Sequence, residues 1–187
     1  MAVVKWIVSL ALAVVFTDFL SGILHWLEDS YGHPGTPVLG RYVTQANIKH
    51  HFEPRHFTKS PVWKRNRVTW TMTALLMLGV WYSGHFSPFW AWVGVLGVLS
   101  NEIHCWAHRT PRENGPVVTA LQRWHIVQSP RHHAVHHTDP KKECYCVLTD
   151  FLNPVLDRIR FFRRTEALIA LRTGVHPRKD DSVLATR

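Results

Sequence analysis

The chain has 187 residues, enough for one domain, and its three cysteines, an odd number, suit a reducing compartment and not a secreted disulfide scaffold. A net charge of +9 would by itself suggest nucleic acid. However, 46% of the residues are hydrophobic and they are gathered into long runs, so a basic surface facing anionic lipid headgroups explains the charge with fewer assumptions.

The first run, residues 3–24, is almost wholly apolar, with Lys5 and Asp18 as its charged interruptions. A spanning helix needs roughly 20 apolar residues, and this run meets that requirement. A secretory signal peptide is the other reading, but no small-x-small cleavage site follows, so an uncleaved anchor is expected. Residues 68–82 and 88–103 form two further apolar runs, read as spans over about 66–83 and 86–104. Buried core helices are the alternative. The flanking tryptophans Trp63, Trp70, Trp81, Trp90, Trp92 and Trp106 resemble an interfacial belt and favour the membrane. Of the 22 Lys and Arg residues, only Lys5 precedes the centre of the first run, the link 83–87 has none, and the rest lie in 41–67 or after 108. With three spans these two basic regions share a side, which the positive-inside rule makes cytoplasmic.

Fourteen histidines remain to be explained. Nine fall into groups: His25, four residues before Asp29; the pair His50-His51; His104 and His108, again four apart; and His132, His133, His136 and His137. The topology brings all four groups to one membrane face. Asp18, His25 and Asp29 share a helix stripe, as do Asn101, His104 and His108. Asp18 is read as an acceptor that orients a ligand. Ser129 reads as an N-cap with Pro130 as first helical residue, and Asp139-Pro140 ends that helix, on which His133, His136 and His137 share a face. His125 is expected to pack on a helix over 117–127. An amphipathic helix over about 154–173 starts at Asn153-Pro154 and stops at Gly174; its Val155, Ile159, Phe162 and Ile169 alternate with Arg158, Arg160, Arg163, Arg164 and Arg172. It lies in the headgroup region or packs on the catalytic domain. The last ten or so residues read as a disordered tail.

Neutral imidazole is the commonest metal ligand, and one zinc site takes only three or four ligands. Nine grouped histidines therefore imply two metals held close together, or one site and coincidence. Imidazole suits Zn, Cu, Fe and Ni alike. Cys144-x-Cys146 has no second cysteine pair, and H-E-x-x-H, C-x-x-C-H, G-x-G-x-x-G and a serine nucleophile elbow are all absent. A histidine-rich binuclear site at a membrane face suits oxygen chemistry on a lipid. Such chemistry needs electrons from a separate donor, which a basic face would dock if the donor is acidic. His56 stays open as a ligand, and Asp29 is either a ligand or a hydrogen-bond acceptor. His33, His85 and His176 are read as non-ligands.

Several spaced motifs then match a known family. Asp18-x-x-Ser21-Gly22-x-x-His25-Trp26-x-x-Asp29, Gly32, Thr36-Pro37-Val38-Leu39-Gly40, His50-His51-x-x-Pro54 and Asn101-x-x-His104-x-Trp106-x-His108 come first. Pro130-Arg131-His132-His133-x-x-His136-His137, Tyr145-Cys146-x-x-Thr149, Leu152-Asn153-Pro154 and Thr173-Gly174-Val175-x-Pro177-Arg178 follow. In this order they resemble the plasmanylethanolamine desaturase (CarF/Kua) lipid desaturase family, from about residue 17 to the tail.

The resemblance implies an all-α integral membrane protein, a single lipid desaturase domain over 1–187, with three or four transmembrane helices and a cytoplasmic histidine-rich di-metal cap. It implies two iron ions, O2 as co-substrate, a phospholipid substrate and an electron donor such as cytochrome b5 or ferredoxin. The membrane would be a bacterial inner membrane or the endoplasmic reticulum. One family member forms the vinyl-ether bond of plasmalogens, and a plastidial relative makes a trans double bond near the acyl carboxyl end. By position, His25, Asp29, His50, His51, His104, His108, His132, His133, His136 and His137 would be iron-site residues. Where the family often has a further histidine this chain has Ser60, and His56 would substitute for it. A lipid hydroxylase and a non-enzymatic histidine-rich metal-binding membrane protein are the competing readings.

Overall fold

The computed structural model describes residues 1–178, which form eight α-helices and no strand. Helix α1, Ala2–Tyr31, is 30 residues long, about 45 Å at 1.5 Å per residue. That exceeds the roughly 30 Å hydrocarbon core of a bilayer, so its last turns stand clear of any membrane it crosses. Nothing in its sequence breaks the helix, and Val4, Ile7, Val8, Leu12 and Val15 lie exposed along it. Among the described residues it is the one helix long and apolar enough to span by length and composition. It ends at Gly32, whose N–H reaches the Leu27 carbonyl at 3.0 Å.

Helices α3 (Val62–Tyr82) and α4 (Pro88–Ala107) form an antiparallel pair joined by the turn 83–87, with Pro88 opening α4. The two later apolar runs are thus helical, as the sequence indicates. Their ends nearest the histidines carry Lys64, Arg65, Arg67, Asn101 and Glu102, which lowers their apolar character relative to α1. The Arg65 guanidinium grips Glu102 through two bonds of 2.9 and 2.5 Å, and Asn66 donates to the same carboxylate at 3.0 Å. Arg65 is almost fully buried, and removing one partner of such a pair costs about 3–5 kcal/mol. Helix α4 lies between α3 and α1. It runs parallel to α1: Trp6 meets Trp92 near one end, with ring centroids 6.1 Å apart, and His25 meets His104 near the other, at 5.7 Å.

The remaining elements build a cap over the ends of α1 and α4. These are α2 (Gln45–Phe52), preceded by a single π-turn at Gly40–Thr44; α5 (Pro111–Arg123); α6 (Pro130–His136); α7 (Leu152–Arg158); and α8 (Phe161–Thr173). A buried non-helical segment, residues 144–149, threads through the cap. It has no sheet partner, so side chains satisfy most of its backbone, and the Gln128 N–H donates to the Leu148 carbonyl at 2.7 Å. Asp18 accepts from the Leu148 N–H at 2.8 Å and the Thr149 hydroxyl at 2.6 Å, and Ser21 accepts from the Val147 N–H. Asn153 both accepts from and donates to the Cys146 backbone, while Gln128 donates to the Cys146 carbonyl at 2.6 Å. Gly22 permits the approach: a Cβ there would stand 2.5 Å from Cys146 Sγ. Trp26, Tyr145, Cys146, Leu156 and Phe162 pack as the core beneath.

Two local expectations need correction. The amphipathic segment is not one helix: Arg160 adopts a left-handed conformation (φ 54°), dividing it into α7 and α8. The helix expected over 117–127 ends at Arg123, and His125 lies beyond it at φ 56°. The Ser129 cap on the His132 N–H and the stop at Gly174 (φ 72°) are where the sequence indicates. The expected disordered tail falls largely outside the described residues.

Candidate metal centre

Four helices supply the clustered histidines. Helix α1 carries His25 and Asp29 on its last turns, and α2 carries His50 and His51. Helix α4 carries His104, with His108 as its C-cap, and α6 supplies His133 and His136, with His137 as its C-cap. Consecutive helical residues point about 100° apart. Each adjacent pair is therefore divided, and two ligand groups result. One contains His50, His104, His108, His133 and His137; the other contains His25, Asp29, His51 and His136. Within each group the candidate ligand atoms all lie within 4.8 Å of one another. The pairs His50-His51 and His136-His137 join the two.

The five-histidine group is tightly convergent. His104 Nε2 stands 3.0 Å from His133 Nε2 and 3.2 Å from His108 Nε2, and His137 Nε2 is 3.1 Å from His133 Nε2. Two imidazole nitrogens bound at right angles to one cation at about 2.1 Å would stand about 3.0 Å apart. In the second group Asp29 is the hub. Its Oδ1 lies 3.2 Å from His51 Nε2, and its Oδ2 lies 3.4 Å from His136 Nε2 and 3.9 Å from His25 Nε2.

Supporting bonds fix the rings. His25 Nδ1 donates to the Tyr145 carbonyl at 3.1 Å and His136 Nδ1 to the Glu143 carbonyl at 2.9 Å. A carbonyl only accepts, so each Nδ1 carries the hydrogen and each Nε2 offers a lone pair inward. Asn47 donates to Asp29 Oδ1 at 2.5 Å. Burial and the neighbouring imidazoles pull His108 and His136 down to about 3 and His137 to about 2, and push His50 and His133 well below the usual histidine range. The rings are accordingly neutral, the state in which imidazole binds metals. Asp29 is held below the usual carboxylate range despite its burial, so it offers a charged carboxylate to the same space.

A cation fits this arrangement. Both nitrogens of His50, His25 Nε2 and Asp29 Oδ2 are buried without a hydrogen-bond partner among the described residues. Unpaired buried polar atoms are costly, and a bound metal supplies the missing interaction. The nitrogen-rich set suits Fe, Zn, Cu or Ni. A cavity of about 260 Å³ lined by Pro54, Ala107, Pro130, Ala134, His108, His133 and His137 opens onto the five-histidine group.

The other candidates lie elsewhere. His56 is exposed beside Glu53 at 3.6 Å, and His132 Nε2 meets the Asn153 amide at 3.1 Å, so neither joins a ligand group. His125 pairs with Asp150, His85 with Ser83, and His33 with the Gly35 N–H. Ser60 offers its carbonyl to Arg65. Asp18 does not orient a ligand directly. It pins residues 148 and 149, and the same segment presents the Tyr145 carbonyl to His25. Sequence reasoning missed Asn47, although it stands three and four residues before His50 and His51 on α2, a same-face spacing that could have marked it.

Comparison with known proteins agrees with this chemistry. The lipid desaturase domain model matches residues 14–180. The chain is 31% identical to plasmanylethanolamine desaturase 1 of Mus musculus over 94% of its own length and 69% of that protein. It is 30% identical to plasmanylethanolamine desaturase of Myxococcus xanthus over 92% of its length and 63% of that protein. It is 31% identical to chloroplastic fatty acid desaturase 4 of Arabidopsis thaliana over 88% of its length and 51% of that protein. No solved structure matches. By the family model and by these relatives, the chain belongs to the lipid desaturase family.

Proposed function

We propose that the chain is a di-iron, O2-dependent membrane lipid desaturase that forms a double bond near the glycerol end of a phospholipid's ether or acyl chain. The observation that carries this reading is the pair of adjoining ligand groups, joined through His50-His51 and His136-His137 at the ends of α1 and α4. Iron bound there, with O2 and electrons from an external donor, supplies the oxidising power that removes two hydrogens from neighbouring carbons.

The chain's own residues hold and orient. His50, His104, His108, His133 and His137 hold one ion, and His25, Asp29, His51 and His136 the other. Tyr145, Glu143 and Asn47 fix the rings and the carboxylate from behind. Helices α1, α3 and α4 span the bilayer, with the cap on the cytoplasmic side where Lys and Arg concentrate. A headgroup held at that face brings the first carbons of its chain nearest the histidines. The relatives named as plasmanylethanolamine desaturases support an ether-linked substrate, and those named as fatty acid desaturases an acyl one.

Lipid mass spectrometry of cells expressing the chain or its His133→Ala variant tests this. Lipids lighter by two hydrogens are expected with the active chain alone. Acid lability of these products identifies a vinyl ether. Hydroxylated lipids, or new double bonds only in mid-chain, overturn the proposal.

A further inference from the structure

Helices α7 and α8 turn one side to the core and leave an apolar face uncovered on the other. Leu156, Phe162 and Glu166 point inward and are buried. Along α7 and its two caps, Phe151, Val155 and Ile159 follow one another at intervals of four and are 64%, 55% and 45% exposed. On α8, Leu168 and Leu171 are 54% and 80% exposed, and Val175 just beyond the helix is 51% exposed. The two stripes meet at a groove of about 260 Å³ lined by Ile159, Phe161, Arg164, Thr165 and Leu168. A contiguous apolar face of this kind marks an interaction surface.

Its charge and its position select the occupant. Arg158, Arg160, Arg164 and Arg172 are exposed around the face, and none makes an ion pair among the described residues. Acidic side chains of the same two helices are already engaged: Asp157 accepts from the Cys144 N–H, and Glu166 accepts from Trp26 and Ser30 and pairs with Arg163. The groove also sits beside α1, because Phe161 of its wall packs edge-on against Phe19 with centroids 5.5 Å apart. Trp26, one turn before the end of α1, is tied to α8 by a 2.9 Å bond to Glu166. The apolar face is therefore held level with the stretch where α1 leaves its apolar run.

We infer that α7 and α8 are an in-plane anchor that beds Phe151, Val155, Ile159, Leu168 and Leu171 in the bilayer interface, with the four arginines on anionic phospholipid headgroups. An apolar strip flanked by arginines at the level of a span's end has the makeup of an interfacial helix. The anchor rests on the reading of α1 as a span, and it fixes the height of the cap above the bilayer. That height sets how far down a lipid chain the histidines reach.

The test uses the full chain in nanodiscs of phosphatidylcholine, with or without phosphatidylglycerol. Spin labels are placed singly by Leu12→Cys, Ile159→Cys, Leu168→Cys and Lys142→Cys. All four sites are on the surface, and the native cysteines are buried. Labels at 159 and 168 should collide with O2 in preference to a water-soluble nickel chelate, as the label at 12 does, while the label at 142 does the reverse. Replacing the four arginines with Gln should raise nickel access at 168 several-fold in discs containing phosphatidylglycerol. Water access at 159 and 168 equal to that at 142 overturns the anchor while leaving the span intact. Water access at 12 as well overturns both. Shielding found only in discs holding two copies assigns the face to a second chain and also overturns it. No effect of the arginine replacements overturns the headgroup contact.

Discussion

The Asn47 side-chain amide donates to Asp29 Oδ1 at 2.5 Å, on the carboxylate that three histidine nitrogens face. The bond ties α2 to the end of α1 and sets the direction of the Asp29 carboxylate. Loss of a bond that orients a metal ligand typically lowers affinity or activity about 10–100-fold. Asn47→Ala should lower product formation within that range while the protein still inserts and folds. Asn47→Asp, which places a second negative charge at the same position, should be worse. Activity measured in membranes at matched expression decides this, and wild-type rates in Asn47→Ala would show that Asp29 needs no such support.

Much of this architecture is legible in the sequence because it rests on local rules. The apolar runs, the Ser129 cap and the Gly174 stop each depend on residues within a turn of one another. The convergence of histidines follows from placing three helices in succession, one leading away and the next returning. The division of the histidine pairs between two groups is implicit in helical geometry, yet it needs the positions of four helices to be seen. What stayed hidden is long-range and polar. Asn47, Gln128 and Asn153 act on partners that no periodicity marks, and Asp18 serves a segment 130 positions later in the chain. His132 illustrates the same limit: beside His133 in sequence, it turns to Asn153 and away from both groups. The break at Arg160 is equally unmarked, since arginine is a good helix former.

Metal content follows from the two groups. Protein purified without oxygen in detergent should carry about two irons per chain, since each group offers at least the three or four ligands a site needs. His50→Ala and His51→Ala, one position apart, should each lose chiefly one ion, and from different groups. His132→Ala should keep both. Elemental analysis with Mössbauer spectra of the remaining iron distinguishes these results. A single metal, or stoichiometric zinc in active protein, contradicts the binuclear reading.

Asp18 carries the segment that aims His25. Asp18→Ala removes two hydrogen bonds and strands the buried Leu148 N–H, a loss of about 3 kcal/mol. Asp18→Asn keeps an acceptor for one of them and should lose less. Thermal unfolding in detergent should rank wild type above Asp18→Asn above Asp18→Ala. Equal stability of all three would mean residues 144–149 are held in place without this contact.

The thiol of Cys144 should be inert in the folded protein. Burial pushes it up to about 12, and the nearby Asp157 carboxylate adds to the shift. The thiolate is the reactive form, and raising the pKa depletes it at any pH below 12. At pH 9 an ordinary thiol is about three-quarters ionised, whereas one at about 12 is ionised to roughly one part in a thousand. Alkylation at pH 9 should therefore be slower than for free cysteine by about a thousandfold or more, and unfolding should restore the ordinary rate. Mass spectrometry of Cys144-containing peptides over time measures this; rapid labelling in the folded state would place the thiol in an open, polar site.

His85 separates the topology from its alternatives. It lies in the turn between α3 and α4, exposed beside Ser83. Helix α3 has 21 residues, which puts this turn about 31 Å along the helix axis from the cap. An exposed substitution this far from the histidine groups should change stability by no more than about 0.5 kcal/mol. His85→Ala should accordingly retain activity, whereas His104→Ala should abolish it. In intact cells a membrane-impermeant maleimide should label His85→Cys but not Lys142→Cys, because the proposed three spans put these residues on opposite sides. Labelling of both only after the membrane is opened would put the turn and the cap on the same side, and α3 and α4 would then be helices of the cap and not spans.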